Sequence, residues 1–355
     1  MKDFIPRQAA PIKGRGTSEN PRNRFEKTER LAEEAIWETA RVKTQYIDDT
    51  SRTIIAYNRS PDIPFEASLN VYRGCEHGCV YCYARPTHEY LGYSAGLDFE
   101  TKIIVKRNAP TLLKAELAHP GWQPKVLAMS GVTDPYQPLE RLLKLTRACL
   151  EVLLHFRNPV AVVTKSSGVM RDIDLFTRLA QKQAAAVFIS ITTLDNQLHQ
   201  KLEPRATPPG KRLAALEALS RAGVPTGVML APLIPGLNDR EIPDILNASK
   251  SCGAICAGMV PLRLPHAVAS LFENWLLQHL PDHKTKILNR IRDMRSGQLN
   301  DGNFGSRMQG QGAYIKQMRA LFALSCRKTG LRQKMPALSC SSFRSSEGLQ
   351  LSLFP

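Results

Sequence analysis

Three cysteines that could bind a metal lie within eight residues of one another. Residues 73–83 read RGCEHGCVYCY, so that Cys75, Cys79 and Cys82 have the spacing Cys-x3-Cys-x2-Cys. One short loop with this spacing can wrap three thiolates around an iron–sulfur cluster, and its two glycines permit the tight turns that wrapping needs. Three thiolates leave the fourth iron without a protein ligand, whereas a closed electron-transfer cluster normally uses four.

The same residues permit a zinc site, with His77 or a remote cysteine as the fourth ligand. Structural zinc usually takes two separated ligand pairs, and no second Cys-x2-Cys follows in the chain. The spacing therefore favours an iron–sulfur cluster, with zinc as the alternative. Among the other cysteines, Cys149 is predicted to be core. Cys252 and Cys256 are predicted to be small buried apolar residues, with an auxiliary cluster as the minor alternative.

The elements that must position this loop alternate between short strands and helices. Apolar runs rich in Val and Ile predict strands at Ser68–Arg73, Val126–Ser130, Val160–Lys165, Ala186–Ile191, Thr226–Ala231 and Ile255–Pro261. Helical periodicity predicts helices at Ala109–Leu117, Pro138–Phe156, Arg171–Gln181, Pro209–Ala222 and Asp239–Ser251. This alternation indicates an α/β fold with a parallel sheet. Because six units are too few for a closed eight-stranded barrel, we predict a partial (β/α)6 barrel, with an open doubly wound sheet as the alternative.

Polar segments follow several of the predicted strands, at residues 131–135, 164–166, 192–193 and 232–236. In either architecture the functional face lies at the carboxyl ends of the strands. We therefore expect these segments to face the cysteine motif. Four regions are predicted along the chain: a basic N-terminal extension (1–64), a core domain (65–265), a C-terminal helical extension (266–332) and a flexible tail (333–355).

The chain is strongly basic, with 48 Lys and Arg against 32 Asp and Glu and a formal charge of +16. This excess favours nucleic acid as a partner through electrostatic attraction, and a basic enzyme that ignores DNA is the alternative. Candidates to line a basic groove, each of which could equally be an ordinary surface charge, are Lys106, Arg107, Arg171, Arg205, Arg263 and Arg307. The lack of a signal-peptide h-region and of a membrane-length apolar run predicts a cytoplasmic protein with no membrane partner. In that compartment the eight cysteines are not expected to form a disulfide framework.

The cysteine motif resembles the signature of radical S-adenosylmethionine (SAM) enzymes, in which an aromatic residue, here Tyr81, precedes the last cysteine. Further stretches resemble the spore-photoproduct-lyase-like branch, also called DNA-repair-photolyase-like. These stretches are Asn70–Cys75, Thr133–Glu140, Thr164–Ser166, Arg171–Asp174 and Phe304–Gly310. Together they cover about residues 65–325.

The resemblance implies a [4Fe–4S] cluster on Cys75, Cys79 and Cys82, SAM bound to the unique iron, and an electron donor protein. In that family one electron splits the sulfonium C–S bond, and the resulting 5′-deoxyadenosyl radical abstracts a hydrogen from substrate. The SAM contacts implied by position are Tyr81, Ser130, Thr133, Lys165 and Ser190.

Three of these assignments have ordinary alternatives. Lys165 could be a surface lysine at a strand end, and Ser190 could be a buried hydroxyl with satisfied hydrogen bonds. Asp134, in the segment that would hold the methionyl part, could cap the helix predicted from Pro138.

The chain departs from the lyase at one position. The lyase has a hydrogen-donating cysteine near the end of the second strand, where residues 130–133 of this chain read Ser-Gly-Val-Thr. The lyase's substrate therefore does not carry over by resemblance. The leading prediction is a lyase-like radical SAM enzyme acting on nucleic acid. The alternatives are a radical SAM enzyme that modifies a protein or small molecule, and a zinc-stabilised nucleic-acid-binding protein without catalysis.

The chain closes with a short apolar segment, Gln350-Leu-Ser-Leu-Phe354, before the terminal proline. It resembles the peptide by which bacterial replication and repair proteins dock on the DNA sliding clamp. Leu353 and Phe354 would be its apolar contacts and Gln350 its polar one. The alternative is a chance hydrophobic terminus.

Overall fold

A parallel sheet forms the centre of the protein, which a computed structural model describes at residues 10–26 and 42–345. The strands in chain order are β1 (Gln45–Asp48), β2 (Ile55–Tyr57), β3 (Ala67–Leu69), β4 (Tyr72–Arg73), β5 (Lys102–Val105), β6 (Leu127–Met129), β7 (Val160–Thr164), β8 (Ala185–Ser190), β9 (Thr226–Leu233) and β10 (Cys256–Pro261). The long central strands β7 and β8 are buried along most of their length, as expected of parallel strands covered on both faces.

The strand order decides between the two predicted architectures. Within the described ranges the larger sheet runs β2-β3-β6-β7-β8-β9-β10, and all neighbours from β3 to β10 are parallel. A doubly wound sheet reverses its strand order at a switch point, whereas this order follows the chain without reversal. Antiparallel β2 and strand β10 form the two edges, so the sheet does not close. The predicted α/β partial (β/α)6 barrel of parallel strands is confirmed.

Helices cover the connections between these strands. They are α1 (Leu97–Thr101), α2 (Ala109–Ala118), α3 (Glu140–Leu143), α4 (Leu145–Phe156), α5 (Ile173–Ala180), α6 (Asn196–Leu202), α7 (Pro209–Arg221), α8 (Ile242–Ser251), α9 (Val268–His279), α10 (Pro281–Met294), α11 (Ser306–Gln309) and α12 (Ala313–Thr329). In residues 10–26 and 42–345, 3-10 helices lie at Arg85–Leu91, Ser167–Asp172 and Asp239–Glu241. None of the helices in these described ranges is long and apolar enough to cross a membrane.

Two predicted elements are divided in the structure. The segment Ser68–Arg73 contributes to both β3 and β4, because Leu69 pairs with Met129 of β6 whereas Tyr72 pairs with Val105 of β5. Strands β1, β5 and β4 form a second, smaller sheet that the sequence analysis did not predict. The predicted helix Pro138–Phe156 is interrupted at Lys144, whose φ of +53° ends α3 before α4 begins.

Both predicted extensions contact the barrel. Strand β2, from the N-terminal region, pairs along the edge of β3. At the other end of the chain, the backbone of Arg332 pairs with Ile255 and with Ala257 of β10. Phe343, in the region predicted as a flexible tail, stacks on Phe156. The division into four regions stays a proposal. These contacts show that parts of the outer regions pack against the core.

Candidate active site

The cysteines lie on a tight loop, residues 74–84, between β4 and the 3-10 helix at Arg85 (the cysteine loop). Cys75 and Cys79 are buried and Cys82 is half-buried. The Cys75 amide donates to the Phe99 carbonyl at 2.9 Å, which ties the loop to α1. Gly78 has a φ of +68°, and a Cβ there would lie 2.8 Å from a carboxylate oxygen of Glu100. This position therefore needs glycine, as the sequence pattern predicts.

A buried ion pair supports the loop from beneath. Arg85 Nε donates to the Cys79 carbonyl at 2.9 Å, and its Nη2 donates to Glu100 Oε1 at 2.5 Å. Both side chains are fully buried. Because a buried charge that loses its partner is strongly destabilising, this pair fixes the backbone of Cys79 in one position.

The N-terminal arm (residues 10–26) packs against the outer side of the cysteine loop. The Gly16 amide donates to Glu100 Oε2 at 3.0 Å, and a Cβ on Gly16 would lie only 1.7 Å from the Gly78 carbonyl oxygen. The arm extends to the C-terminal helices as well. These contacts are Asn274 Nδ2 donating to Glu19 Oε1 at 2.6 Å, and Arg24 Nη1 lying 2.9 Å from His266 Nε2. The arm is thus part of the site's wall.

The segment after β6 fastens the opposite side of the loop. The Thr133 hydroxyl donates to the Gly74 carbonyl at 2.7 Å. Asp134 accepts from the Thr164 hydroxyl and the Lys165 amide, both at 2.7 Å, and lies 3.4 Å from His77 Nδ1. Asp134 also accepts from the Tyr136 amide at 2.8 Å and so caps the turn at residues 134–136. Its carboxylate thus joins the segments that follow β4, β6 and β7.

Tyr81 and Lys165 meet inside the barrel. The Tyr81 hydroxyl donates to Glu203, and Lys165 Nζ lies 3.4 Å from the same carboxylate oxygen. Thr192 lies between them, donating to Glu203 Oε1 at 2.6 Å and accepting from Lys165 Nζ at 3.2 Å. The ammonium also donates to the Ala231 carbonyl at 2.8 Å, so the Lys165 side chain points into the barrel. The alternative of a surface lysine is therefore excluded.

Glu203 is the charged centre of this network and was not predicted from the sequence. It is fully buried at the end of α6, and its second oxygen pairs with Arg212, which also holds the Ser190 carbonyl at 2.8 Å. Burial alone would raise the pKa of Glu203, but the charges of Arg212 and Lys165 hold it well below its usual range. The carboxylate is therefore ionised and accepts from Tyr81. The spacing of these charged residues gives no recognisable motif, so the sequence carries no clear signal for them.

The remaining predicted contacts lie at strand ends. Ser130 follows β6 and is half-buried, and Ser190 is the last residue of β8 and is buried. The structure thus brings Tyr81 and Lys165 together, sets Thr133 against the cysteine loop, and places the two serines at the ends of β6 and β8, on either side of β7. Of the other cysteines, Cys149 and Cys256 are buried and Cys252 is half-buried.

The cysteine thiols suit an iron–sulfur cluster better than a single metal ion. Burial raises the pKa of Cys75, Cys79 and Cys82, so their thiolates need a cation to be stable. In the part of the chain that the structure describes, no three His, Cys, Asp or Glu side chains are arranged to hold one ion. A cubane instead places each thiolate on a different iron, which fits three thiols of one loop.

Most of the candidate groove residues are used within the protein. Arg171 pairs with Glu140 and Asp172, Arg205 with Glu76, and Arg307 with Asp62, while Lys106 is buried. Arg107 lies 2.6 Å from Asp48 at the surface. Folding thus gives three of these arginines carboxylate partners, and the groove stays a prediction. Arg263 lies over the ring of Tyr83 at 6.0 Å.

Comparison with known proteins identifies the domain. Residues 69–248 match the family model described as the radical SAM superfamily. An uncharacterised protein of Mycobacterium tuberculosis (strain ATCC 25618 / H37Rv) is 34% identical over 244 residues, which are 67% of this chain and 71% of that protein.

Solved structures of spore photoproduct lyase share the fold. One variant superposes with a TM-score of 0.58 at 16% identity, covering 81% of each chain. Another, with bound AdoMet and dinucleoside spore photoproduct, gives a TM-score of 0.57 at 15% identity, covering 81% of this chain and 80% of the other. At such low identity the likeness establishes the architecture and leaves the substrate open.

Proposed function

The chain belongs to the radical SAM superfamily, and we propose that it cleaves SAM reductively to a 5′-deoxyadenosyl radical in order to act on nucleic acid. Its cofactors are a [4Fe–4S] cluster and S-adenosylmethionine. Membership of an enzyme superfamily decides against the alternative of a zinc-stabilised protein without catalysis.

We propose Cys75, Cys79 and Cys82 as the cluster ligands. The observation that carries this proposal is that one loop presents three thiols at a buried position, with its backbone fixed by the Arg85–Glu100 pair. When bound, the cluster and SAM supply the radical that removes a hydrogen atom from the substrate. The chain's own residues shape the loop and keep water from the reacting groups.

The side chains around the loop are proposed to position SAM. Tyr81 is held by Glu203 on the inner side of the loop, and Lys165 extends its ammonium beside it. Glu203 balances that charge and restrains both side chains, so the SAM-binding surface is formed before SAM arrives. Thr133 holds the Gly74 carbonyl and thereby the start of the cysteine loop. Ser130 and Ser190 remain proposed contacts at the neighbouring strand ends.

The charge of +16 supports nucleic acid as the substrate class. The structural similarity to a lyase that was solved with a dinucleoside spore photoproduct supports a lyase-like, repair-type reaction. Residues 130–133 contain no cysteine, so we do not propose the lyase's own hydrogen-return step. The alternative substrate is a protein or small molecule.

Three further assignments belong to this proposal. The reducing electron comes from a separate donor protein. The segment Gln350–Phe354, which lies outside the described residues, docks on the DNA sliding clamp. The protein is cytoplasmic, because a reducing compartment preserves its many thiols.

Anaerobic reconstitution tests the enzyme. We expect a brown protein with about four irons per chain, which forms 5′-deoxyadenosine from SAM once dithionite is added. Cys79→Ala should lose both the iron and the cleavage, whereas Cys149→Ala, which alters a core thiol, should keep both. A colourless protein with one zinc, or cleavage by Cys79→Ala, would contradict the assignment.

The substrate class is tested in the same assay. Damaged DNA, RNA and total protein are each added to the reduced enzyme, and the rate of SAM cleavage is compared. Acceleration by nucleic acid supports the proposal, and acceleration by protein alone favours the alternative.

A further inference from the structure

A cavity of about 570 Å³ lies between the loop that follows β9 and the helices α10 and α12. Four cationic or basic side chains line it: Arg240, His283, Lys286 and Arg290. The carboxylate in its lining, Asp239, is already engaged, because it accepts from the Tyr314 hydroxyl and from the Gly236 amide. The cavity therefore presents a net positive charge.

These cations differ from those that the sequence analysis proposed for a groove. Within residues 10–26 and 42–345, none of the four pairs with a carboxylate, whereas the neighbouring Lys284 lies 3.4 Å from Glu273. His283, Lys286 and Arg290 follow one another at three and four residues along α10, which places them on one face of that helix. Lys286 and Arg290 thus bring positive charge to the cavity from one face of this helix, beside the imidazole of His283.

The opposite wall is aromatic and apolar. Tyr314, Met318 and Leu321 lie on one face of α12, at four- and three-residue spacing. The guanidinium of Arg290 lies 4.5 Å from the centroid of the Tyr314 ring, so the two walls meet at this pair. A nucleotide has the matching character, since its phosphate is anionic and its base and sugar are partly apolar.

The cavity is one loop away from the candidate active site. Near the carboxyl end of β9, the Ala231 carbonyl accepts from Lys165 Nζ at 2.8 Å. Asn238, in the loop that follows β9, donates to the Thr192 carbonyl at 2.7 Å. Gly236 and Asp239 of this loop line the cavity. A chain of nucleotides in the active site could therefore continue past the loop into the cavity.

We propose that this cavity binds backbone phosphates of the nucleic acid substrate, with Arg240 and Lys286 as the exposed contacts and Arg290 as the inner one. The inference rests on the proposed function, because it adds a second contact for the same substrate. The cavity's cations, unlike Arg171, Arg205 and Arg307, have no carboxylate partner among the described residues.

Salt-dependent binding tests the proposal with the reconstituted protein. A labelled single-stranded oligonucleotide is titrated at several salt concentrations with wild type, the double variant R240A/K286A and the control K182A/K250A. The control removes the same charge from exposed lysines near the amino ends of β8 and β10, at the opposite end of the barrel.

Each phosphate contact contributes about 0.7 to the slope of log K against log salt for a single strand. We expect R240A/K286A to lower the slope by about 1.4, and to weaken binding at 0.1 M salt by roughly 10- to 30-fold. The control should keep the wild-type slope. Equal slopes for the two double variants would overturn the role of the cavity while leaving nucleic acid as the substrate class.

Two further outcomes separate the phosphate sources and the two proposals. If pyrophosphate binding depends on Arg240 and Lys286 but oligonucleotide binding does not, the cavity serves a small phosphate compound and the inference is wrong. If wild type cleaves SAM yet binds no nucleic acid at any salt concentration, both the substrate class and the cavity's role are overturned.

Discussion

At the scale of single residues, the backbone of the cysteine loop is held in place by a chain of buried hydrogen bonds beneath it. Arg85 holds the Cys79 carbonyl, Glu100 holds Arg85, and the Gly16 amide occupies the second oxygen of Glu100. Each partner is buried, so each must keep its hydrogen bonds for the next to keep its position. The position of Cys79 thus depends on Gly16, 63 residues earlier in the chain. The arm can approach the loop this closely because Gly16 has no Cβ.

Replacing Gly16 tests this dependence. Gly16→Val should push the N-terminal arm away from the Gly78 carbonyl and lower the free energy of unfolding by about 1–3 kcal/mol, the usual range for overpacking. Gly210→Val is the control, because a Cβ there meets no atom within 4 Å, and its change should stay within about 0.5 kcal/mol. Urea unfolding of the apoprotein measures the first effect, and iron loss in air should be faster for Gly16→Val. Equal behaviour of the two variants would show that the arm does not support the loop.

At the scale of elements, the strands and most helices could be predicted because each βα unit repeats a local pattern. Strand β5 and helix α6 were missed, although Ile103-Ile104-Val105 is a β-branched run that could have revealed the strand. The cysteine motif was readable because its ligands are local in sequence. The Tyr81–Glu203 and Arg171–Glu140 contacts span 122 and 31 residues, so only folding shows which charges meet.

A buried histidine on the 3-10 helix Arg85–Leu91 makes the stability of the fold depend on pH. His88 is fully buried on this helix, and its Nε2 donates to the Lys102 carbonyl at 2.9 Å. Burial lowers the pKa of His88 from 6.5 to about 4, with smaller effects from Lys102, Asp98 and Arg85. The unfolded chain therefore takes up a proton between pH 6.5 and 4 that the folded chain does not, so stability falls as the pH falls through this range.

The expected loss is about 2 kcal/mol between pH 7 and pH 5. Urea unfolding of the apoprotein at the two pH values measures it. His88→Gln should lose this part of the pH dependence, whereas His155→Gln, at an exposed position, should retain it. Wild-type stability that is unchanged at pH 5 would contradict the assignment.

At the scale of the whole molecule, the last described residues leave the barrel on the side away from the active site. Arg344 donates from its backbone to Phe156 and from its side chain to His155, at the end of α4 where β7 is about to begin. The candidate active site lies at the carboxyl ends of the strands. A partner bound beyond residue 345 could therefore remain bound while substrate enters.

Deleting Gln350–Pro355 tests the proposed partner. The truncated protein should lose binding to purified sliding clamp, because Leu353 and Phe354 supply the apolar contacts, while SAM cleavage stays at the wild-type rate. Ser352→Ala is a control that keeps both apolar residues and should bind the clamp. Binding that survives the deletion would show that the clamp does not recognise this segment.

The contacts between the N-terminal arm and the C-terminal helices set an order of assembly. Arg24 meets His266 and Glu19 meets Asn274 across separations of 242 and 255 residues. On the ribosome these pairs can form only after most of the chain has been made, so the outer side of the cysteine loop closes late. A fragment trimmed to the family match at 69–248 would lack all four residues of these two contacts. A fragment that keeps this side of the loop closed must therefore contain both the arm and α9.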